Sequence, residues 1–257
     1  MSKIAILNSH AIDRNIIHNL NIPLIDSDRL NEYELILEYI NEQWYLRHVD
    51  KKKKKMFGVM NINFTDGAIL HRFLYGGHNR SVVSALGLKA KKNISILDAT
   101  AGWGNDAFLF SSLGCRVTLY EKNPLVFFIL NQAIEYGKRN SSDPALCDTL
   151  KRMTCFQHDS IQIMSGVTED FDVVYLDPMF ESTNKSAKVK KNMQFLQIFE
   201  KQSEVNDSEL LSSALEIPCS RVVVKRFIHA PQISHVETPS YSVKGKTIRY
   251  DVYIIKK

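Results

Sequence analysis

From residue 93 onward, short apolar segments rich in β-branched residues alternate with segments of helical spacing, and that alternation admits few folds. Residues 94–98, 116–120, 153–157, 172–177 and 221–225 each read as a strand, and 172–177 is apolar enough to be buried on both faces. Between them, 105–113 carries spaced apolar residues and ends at Gly114, a natural helix stop. Pro124 opens a second helix predicted to stop near Gly137, and 185–200 again has helical spacing. A strand followed by a helix, repeated, dictates a parallel sheet with helices on both faces. After the fifth strand the rhythm breaks. Tyr241-Ser-Val-Lys, a turn at Gly245 and the run 247–255 read as a β-hairpin, which adds an antiparallel edge.

The first ninety or so residues are less regular. Residues 31–49 look helical, and 60–74 supply a strand or two, so 1–75 is expected to form a small N-terminal lobe and 76–257 the α/β domain. A chain of 257 residues is long enough for both. Its longest apolar run, 125–130, falls far short of the roughly 18 residues that a membrane span needs. The N-terminal stretch lacks the apolar core and cleavage site of a secretion signal, and a cytoplasmic chain is expected. Cys115, Cys147, Cys155 and Cys219 form no CxxC pair or zinc spacing and read as reduced thiols. The eight histidines show no metal-like grouping, so no metal is expected.

The first of the five strands runs into Asp98-Ala-Thr-Ala-Gly102-Trp-Gly104-Asn105-Asp106. Ligands of open α/β sheets bind outside the carboxyl ends of the strands, where the strand order reverses. Glycines there let a ligand approach the backbone without a Cβ in the way. Asp98 at the strand end can hold a positively charged group, directly or through water. The same letters, Gly102-Trp-Gly104-Asn-Asp-Ala107, fit the G-x-G-x-x-A dinucleotide fingerprint, and Glu121 ends the second strand, where a carboxylate can accept both ribose hydroxyls. That interaction serves NAD and S-adenosylmethionine equally. These two strand ends therefore indicate a nucleoside-containing cofactor and leave an NAD-dependent oxidoreductase open. Asp159-Ser160, after the third strand, can meet an adenine, and Asp-Ser is equally a good helix N-cap.

The fourth strand separates the two. It ends in Leu176-Asp177-Pro178-Met179-Phe180, and amino-methyltransferases place Asp or Asn, Pro, a variable residue and an aromatic at this spot. An exocyclic amine on a base is a poor nucleophile, because its lone pair is delocalised into the ring. Hydrogen bonds from its N–H groups to Asp177 and to the Pro178 carbonyl rehybridise the nitrogen and aim the lone pair. Proline fixes its own φ and so helps to hold that carbonyl. Phe180 stacks on the base, which is worth roughly 1–3 kcal/mol. This pattern recognises an amine, whichever base carries it, so adenine or cytosine in another RNA or in DNA remains an alternative target.

The charge balance is mildly basic, 33 Lys+Arg against 28 Asp+Glu, and the bases are grouped. Lys51 to Lys55 form an unbroken run; Lys185, Lys188, Lys190 and Lys191 make a second cluster; Arg221, Lys225 and Arg226 make a third. Together they suggest a phosphate-binding surface.

Asp98-Ala-Thr-Ala-Gly-Trp-Gly-Asn-Asp-Ala107, Tyr120-Glu-Lys-Asn-Pro124, Val174-Tyr-Leu-Asp-Pro-Met-Phe180 and Arg221-Val-Val-Val-Lys-Arg226 resemble the ribosomal RNA small subunit methyltransferase J (RsmJ) family, which are 16S ribosomal RNA guanine-N2 methyltransferases. So do Lys185-Ser-Ala-Lys-Val-Lys-Lys191, the closing Lys244-Gly-Lys-Thr-Ile-Arg-Tyr-Asp-Val-Tyr253, and the lead-in Gly67-Ala-Ile-Leu-His-Arg72 with Tyr75-Gly-Gly77. The likeness spans roughly residues 60–255. Thr100 stands where the common methyltransferase loop has glycine, and Trp103 and Asn105 stand where the family usually has a small aliphatic residue and Arg.

The resemblance implies a Rossmann-like class I S-adenosylmethionine-dependent methyltransferase fold, with a mostly parallel seven-stranded sheet and a C-terminal antiparallel hairpin. It implies methyl transfer to N2 of guanosine 1516, with 16S ribosomal RNA or the 30S subunit as partner. It also implies cofactor contacts at Asn105, Asp106, Glu121, Lys122, Asp159, Ser160 and Asp177. To these the strand-end reading adds Asp98, Gly102 and Gly104.

Overall fold

Residues 4–60 build a sheet where a partly helical lobe was expected. In the computed structural model, which describes residues 3–8, 12–18, 20–50, 52, 55–66, 80–88, 93–178 and 206–255, strands β1 (Ile4–Leu7), β2 (Leu24–Ile25), β3 (Leu35–Ile40), β4 (Gln43–Asp50) and β5 (Lys55–Met60) lie in the order β2-β1-β3-β4-β5. A short helix α1 (Arg14–His18) and a 3-10 turn (Ser27–Glu32) connect them. β1 runs parallel to β2 and β3, and β3, β4 and β5 are antiparallel.

The physical reason for the misreading of 31–49 lies in β3. Leu35, Ile36 and Leu37 are all buried, because both faces of this central strand are covered: Leu35 and Leu37 join the main core, while Ile36 packs with Ala5 and Ile25. Such a triplet hides the period-two signature, which survives in β4, where Trp44 and Leu46 are buried and Tyr45 and Arg47 are only partly so. The hairpin between them turns at Asn41 and Glu42, both left-handed (φ 50° and 62°), without the glycine that usually announces such a turn. The Arg47 guanidinium then pairs with Glu38 across the strands at 2.6 Å.

The remaining elements are α2 (Arg80–Leu86), β6 (Ser95–Asp98), α3 (Asn105–Ser112), β7 (Arg116–Glu121), α4 (Pro124–Asn140), α5 (Pro144–Lys151), β8 (Met153–Gln157), α6 (Ser160–Met164), β9 (Val173–Leu176), α7 (Asp207–Leu215), β10 (Arg221–Phe227), β11 (Tyr241–Lys244) and β12 (Ile248–Ile254). Their seven strands form one sheet in the order β11-β12-β10-β9-β6-β7-β8. β6 to β10 are mutually parallel, and β12 enters antiparallel between β10 and β11. The expected parallel sheet with a C-terminal hairpin is therefore present.

Alternation along each strand divides the core. Ile96, Val173, Tyr175 and Val223 face α2 to α5, whereas Leu97, Val174, Leu176, Val222 and Val224 face α6 and α7. The five-stranded sheet shares the first of these cores. Trp44 meets Phe128 of α4 edge-on at 5.0 Å, and Phe64 stacks on Phe108 of α3 at 4.9 Å.

One helix boundary differs from expectation. α4 continues through Gly137 to Asn140, because this glycine is a crossing point: a Cβ there would lie 2.5 Å from Leu150 Cδ1 of α5. α5, α6 and α7 begin at Asx caps, where Asp143, Asp159 and Asn206 accept backbone N–H groups of the first turn. The predicted helix 185–200, the basic stretch 185–191, the lead-in residues 67–77, Met179, Phe180, Lys51, Lys53, Lys54 and His10 lie outside the described residues.

Candidate active site

The strand order reverses between β6 and β9, and in open α/β sheets ligands bind outside the carboxyl ends of the strands at such a reversal. Asp98 ends β6, Glu121 ends β7, Asp159 follows β8, and Asp177 follows β9. The described candidate residues are thus collected along four adjacent strand ends, β9-β6-β7-β8.

The loop after β6 is held from inside. The Thr100 N–H donates to Asp98 Oδ1 at 3.1 Å, and Asp98 itself is buried. Burial pushes its carboxyl up to about 8 against that hydrogen bond, so the free protein holds a proton there at neutral pH. Gly104 sits at φ 71°, and a Cβ on it would lie 2.7 Å from Leu130 Cδ1; the turn into α3 therefore excludes side chains at this point.

Glu121 ties the first loop to the second. It accepts the Gly102 N–H at 2.9 Å on Oε2 and the Asn123 N–H at 2.7 Å on Oε1. A carboxylate oxygen has two acceptor sites, so each retains capacity for a ribose hydroxyl. Burial raises Glu121 to about 7, and these backbone donors work in the opposite direction. Asn123 in turn caps α4 by accepting the N–H groups of Leu125 and Val126.

The third loop is stapled to both. Asp159 accepts the Ile161 N–H as the cap of α6, and its other oxygen meets Lys122 Nζ at 2.8 Å. Ser160 Oγ donates to the Ala99 carbonyl at 2.6 Å. The capping role foreseen for Asp159 is present, and Lys122 acts as its clamp. Lys122 is half exposed, so the pair contributes little to stability.

Asp177 is the centre of a charged network. Its N–H donates to Thr100 Oγ1 at 2.6 Å, and its Oδ2 accepts from Lys225 Nζ at 2.8 Å. The same ammonium reaches Asp106 Oδ2 at 2.6 Å, and that oxygen also accepts the Tyr175 hydroxyl at 2.7 Å. Register explains the meeting: Val224 of β10 lies opposite Leu176 of β9, which sets Lys225 across from Asp177. Burial raises Asp177, and Lys225 counteracts it. Burial likewise opposes the charge on Lys225, but Asp106 and Asp177 together outweigh it and hold the ammonium protonated. Pro178, the next residue, is buried.

Arg221, Lys225 and Arg226 do not form the phosphate-binding group suggested by their spacing. Lys225 is engaged as described. Arg226 is 5% exposed and donates to the Pro231 carbonyl at 2.7 Å, and Arg221 donates to the Ala85 carbonyl and to the Tyr241 hydroxyl. Thr100 and Lys225 are the partners of Asp177 that sequence reasoning missed. The available signals were a hydroxyl residue in a glycine position and a cation closing an all-valine run.

This donor and acceptor set fits S-adenosylmethionine. Glu121 would accept from its ribose hydroxyls and Asp98 from its cationic methionine end, and the glycine turn leaves room for a ligand against the backbone.

Residues 21–255 match the family described as "Putative SAM-dependent methyltransferase". The chain is 40% identical over 209 residues to "Ribosomal RNA small subunit methyltransferase J" of Cellvibrio japonicus, covering 79% of this chain and 78% of that protein. It is 36% identical over 224 residues to the protein of the same name from Aeromonas salmonicida, covering 86% and 87%. Among solved structures, it is similar to a SAM-dependent methyltransferase from Neisseria gonorrhoeae, with a TM-score of 0.74, 25% identity and coverage of 98% and 96%. These likenesses resolve the cofactor ambiguity of the glycine loop in favour of S-adenosylmethionine.

Proposed function

The chain belongs to the SAM-dependent methyltransferase family, and we propose that within it the enzyme methylates the exocyclic N2 amine of a guanosine in 16S ribosomal RNA. That it is an S-adenosylmethionine-dependent methyltransferase of small-subunit ribosomal RNA follows from its relatives. The base, the atom, guanosine 1516 as the position, the 30S subunit as the form in which the RNA is met, and the cytoplasm as the compartment are our reading.

The observation that carries it is the Asp177 carboxylate. One oxygen is fixed by Lys225, the backbone N–H is fixed by Thr100, and among the described residues nothing bonds Oδ1. Oδ1 is therefore available to accept one N–H of a base amine, with the Pro178 carbonyl taking the other. The bound cofactor supplies an electrophilic methyl group on a sulfonium. Asp98 and Asp106 would hold its cationic methionine end, Glu121 its ribose, and Asp159 with Ser160 its adenine; Gly102, Gly104 and Asn105 would form the turn against it, with Lys122 holding Asp159. As the N–C bond forms and the C–S bond breaks, the nitrogen becomes cationic and then loses a proton. An ionised Asp177 stabilises that charge and lies where the proton departs. Phe180, assigned from the motif, stacks on the base.

The test is methyl transfer from labelled cofactor to 30S subunits and naked 16S RNA side by side, followed by nucleoside analysis and mapping of the modified base. N2-methylguanosine is expected. Label in adenosine or cytidine would reassign the base, and no label in guanosine would remove this reading. Asp177→Ala is expected to abolish transfer with the fold intact.

A further inference from the structure

We propose that Lys225 is a positioning residue for methyl transfer, bridging Asp177 and Asp106 so that the Asp177 carboxylate is presented ionised, with one oxygen turned toward the base amine. This rests on the reading of Asp177 given above and adds a residue that the motif does not contain.

The geometry supports it from three sides. Val222, Val223 and Val224 are buried, so the Lys225 stem leaves a rigid strand rather than a loop. β10 pairs with β9 on one side and with β12 on the other, and Tyr250 stands opposite Lys225 in that second ladder. The ammonium meets one oxygen of each carboxylate, at 2.6 Å and 2.8 Å, which stops the Asp177 carboxylate from rotating and leaves its other oxygen for substrate. Lys225 also joins the two halves of the site, since Asp106 opens α3 in the cofactor loop and Asp177 belongs to the base-binding turn.

Electrostatics makes the cation necessary. The ionisable groups around Asp177 are Asp98 from β6, Asp106 from α3, Tyr175 from β9, Lys225 from β10 and Tyr250 from β12. Among the described residues, Lys225 is the one cation in that set. Without it, two carboxylates confront each other in a partly buried site and one takes up a proton. A protonated Asp177 no longer stabilises positive charge on the attacking nitrogen. A purely structural pin between β10, β9 and α3 would lose this pH dependence but keep the same contacts.

The experiment measures kcat/KM for transfer to small-subunit ribosomal RNA across pH, using the full chain as wild type, Lys225→Met, Lys225→Arg and Asp177→Ala, with melting temperatures for each. Lys225→Met is expected to move the acid limb upward by roughly one to three pH units, the range for losing an opposite charge at contact distance. Lys225→Arg, which keeps the charge at every accessible pH, is expected to return the limb toward its wild-type position. A folded Lys225→Met with the wild-type limb overturns the proposal. So does a Lys225→Arg limb displaced as far as that of Lys225→Met, or, should Lys225→Met not fold, a Lys225→Arg limb displaced from wild type by a unit or more. The two readings fail separately: an active Asp177→Ala removes the role of Asp177 itself, whereas an inactive Asp177→Ala beside an unshifted Lys225→Met removes only that of Lys225.

Discussion

Replacing Thr100 by valine keeps the size of the side chain and deletes one hydroxyl. In the structure that hydroxyl accepts the Asp177 N–H at 2.6 Å, joining the loop after β6 to the turn after β9. Removing the acceptor from a partly buried donor costs about 1 kcal/mol, and up to about 3 kcal/mol if water cannot replace it. For a chain of this size each kcal/mol is worth roughly 2–4 °C in melting temperature. The larger effect is expected in catalysis. With the tether gone, Asp177 is located by Lys225 alone, and misplacement of a catalytic group by about 1 Å can cost 10²-fold in rate. Methyl transfer at saturating cofactor should therefore fall ten- to a hundredfold, while calorimetric affinity for S-adenosylhomocysteine stays near wild type, because the Thr100 hydroxyl serves Asp177. Thr100→Ser, which restores the hydroxyl, should recover most of the rate. A Thr100→Val enzyme with wild-type kcat, or a Thr100→Ser enzyme as impaired as the valine variant, would refute the argument.

Three further outcomes are expected. Trp44→Ala removes a buried ring that joins the five-stranded sheet to α4, at a cost of about 3–5 kcal/mol; scanning calorimetry should show one transition at lower temperature, and two separated transitions would mean that the lobe folds independently. Asp98 and Glu121 have folded pKa values of about 8 and about 7, above their ordinary values of 3.8 and 4.5, so the folded chain keeps protons that the unfolded chain has released. Their contribution to stability is then full below the ordinary values of 3.8 and 4.5 and is lost progressively up to the folded values of about 8 and about 7; the melting temperature of the free protein should fall between about pH 4 and pH 8 and level off above, less steeply in Asp98→Asn, and an equal slope in both proteins would contradict it. A cationic methionine end beside Asp98 favours the ionised carboxyl, so binding S-adenosylhomocysteine near pH 7 should release protons. Calorimetry in buffers of different ionisation enthalpy measures that release, and Asp98→Asn should reduce it; no release in wild type would place the ligand's charge elsewhere.

The α/β part of the fold was legible because each of its strands carries its own boundary. Gly114 stops α3, Pro124 starts α4, and the hairpin turn at Gly245 is unaccompanied by a helix. The N-terminal sheet was not legible, for a reason visible in β3. A strand covered on both faces loses alternation, and Leu35-Ile36-Leu37 imitates the apolar density of a helix. Gly137 misled in the opposite direction. Its backbone is helical, and it is glycine because Leu150 of the next helix needs the space, a cause that lies outside its own segment.

The same distinction runs through the site. Asp98, Glu121, Asp159 and Asp177 could be found because each closes or follows a strand, and strand ends are where ligands of such sheets bind. What those carboxylates do depends on partners remote in sequence: Thr100 and Lys225 stand 77 and 48 residues from Asp177. Lys225 shows most clearly what position alone conceals. Read along the chain, it groups with Arg221 and Arg226 as a basic patch; read across the sheet, the pairing of Val224 with Leu176 carries it to Asp177 and away from solvent phosphate. Neighbouring residues on a strand point to opposite faces, so adjacent cations in a β-segment do not share one surface. Arg226, turned to the α7 side against Asp207, and Lys225, turned to Asp106 and Asp177, are adjacent in sequence and serve opposite faces of the sheet.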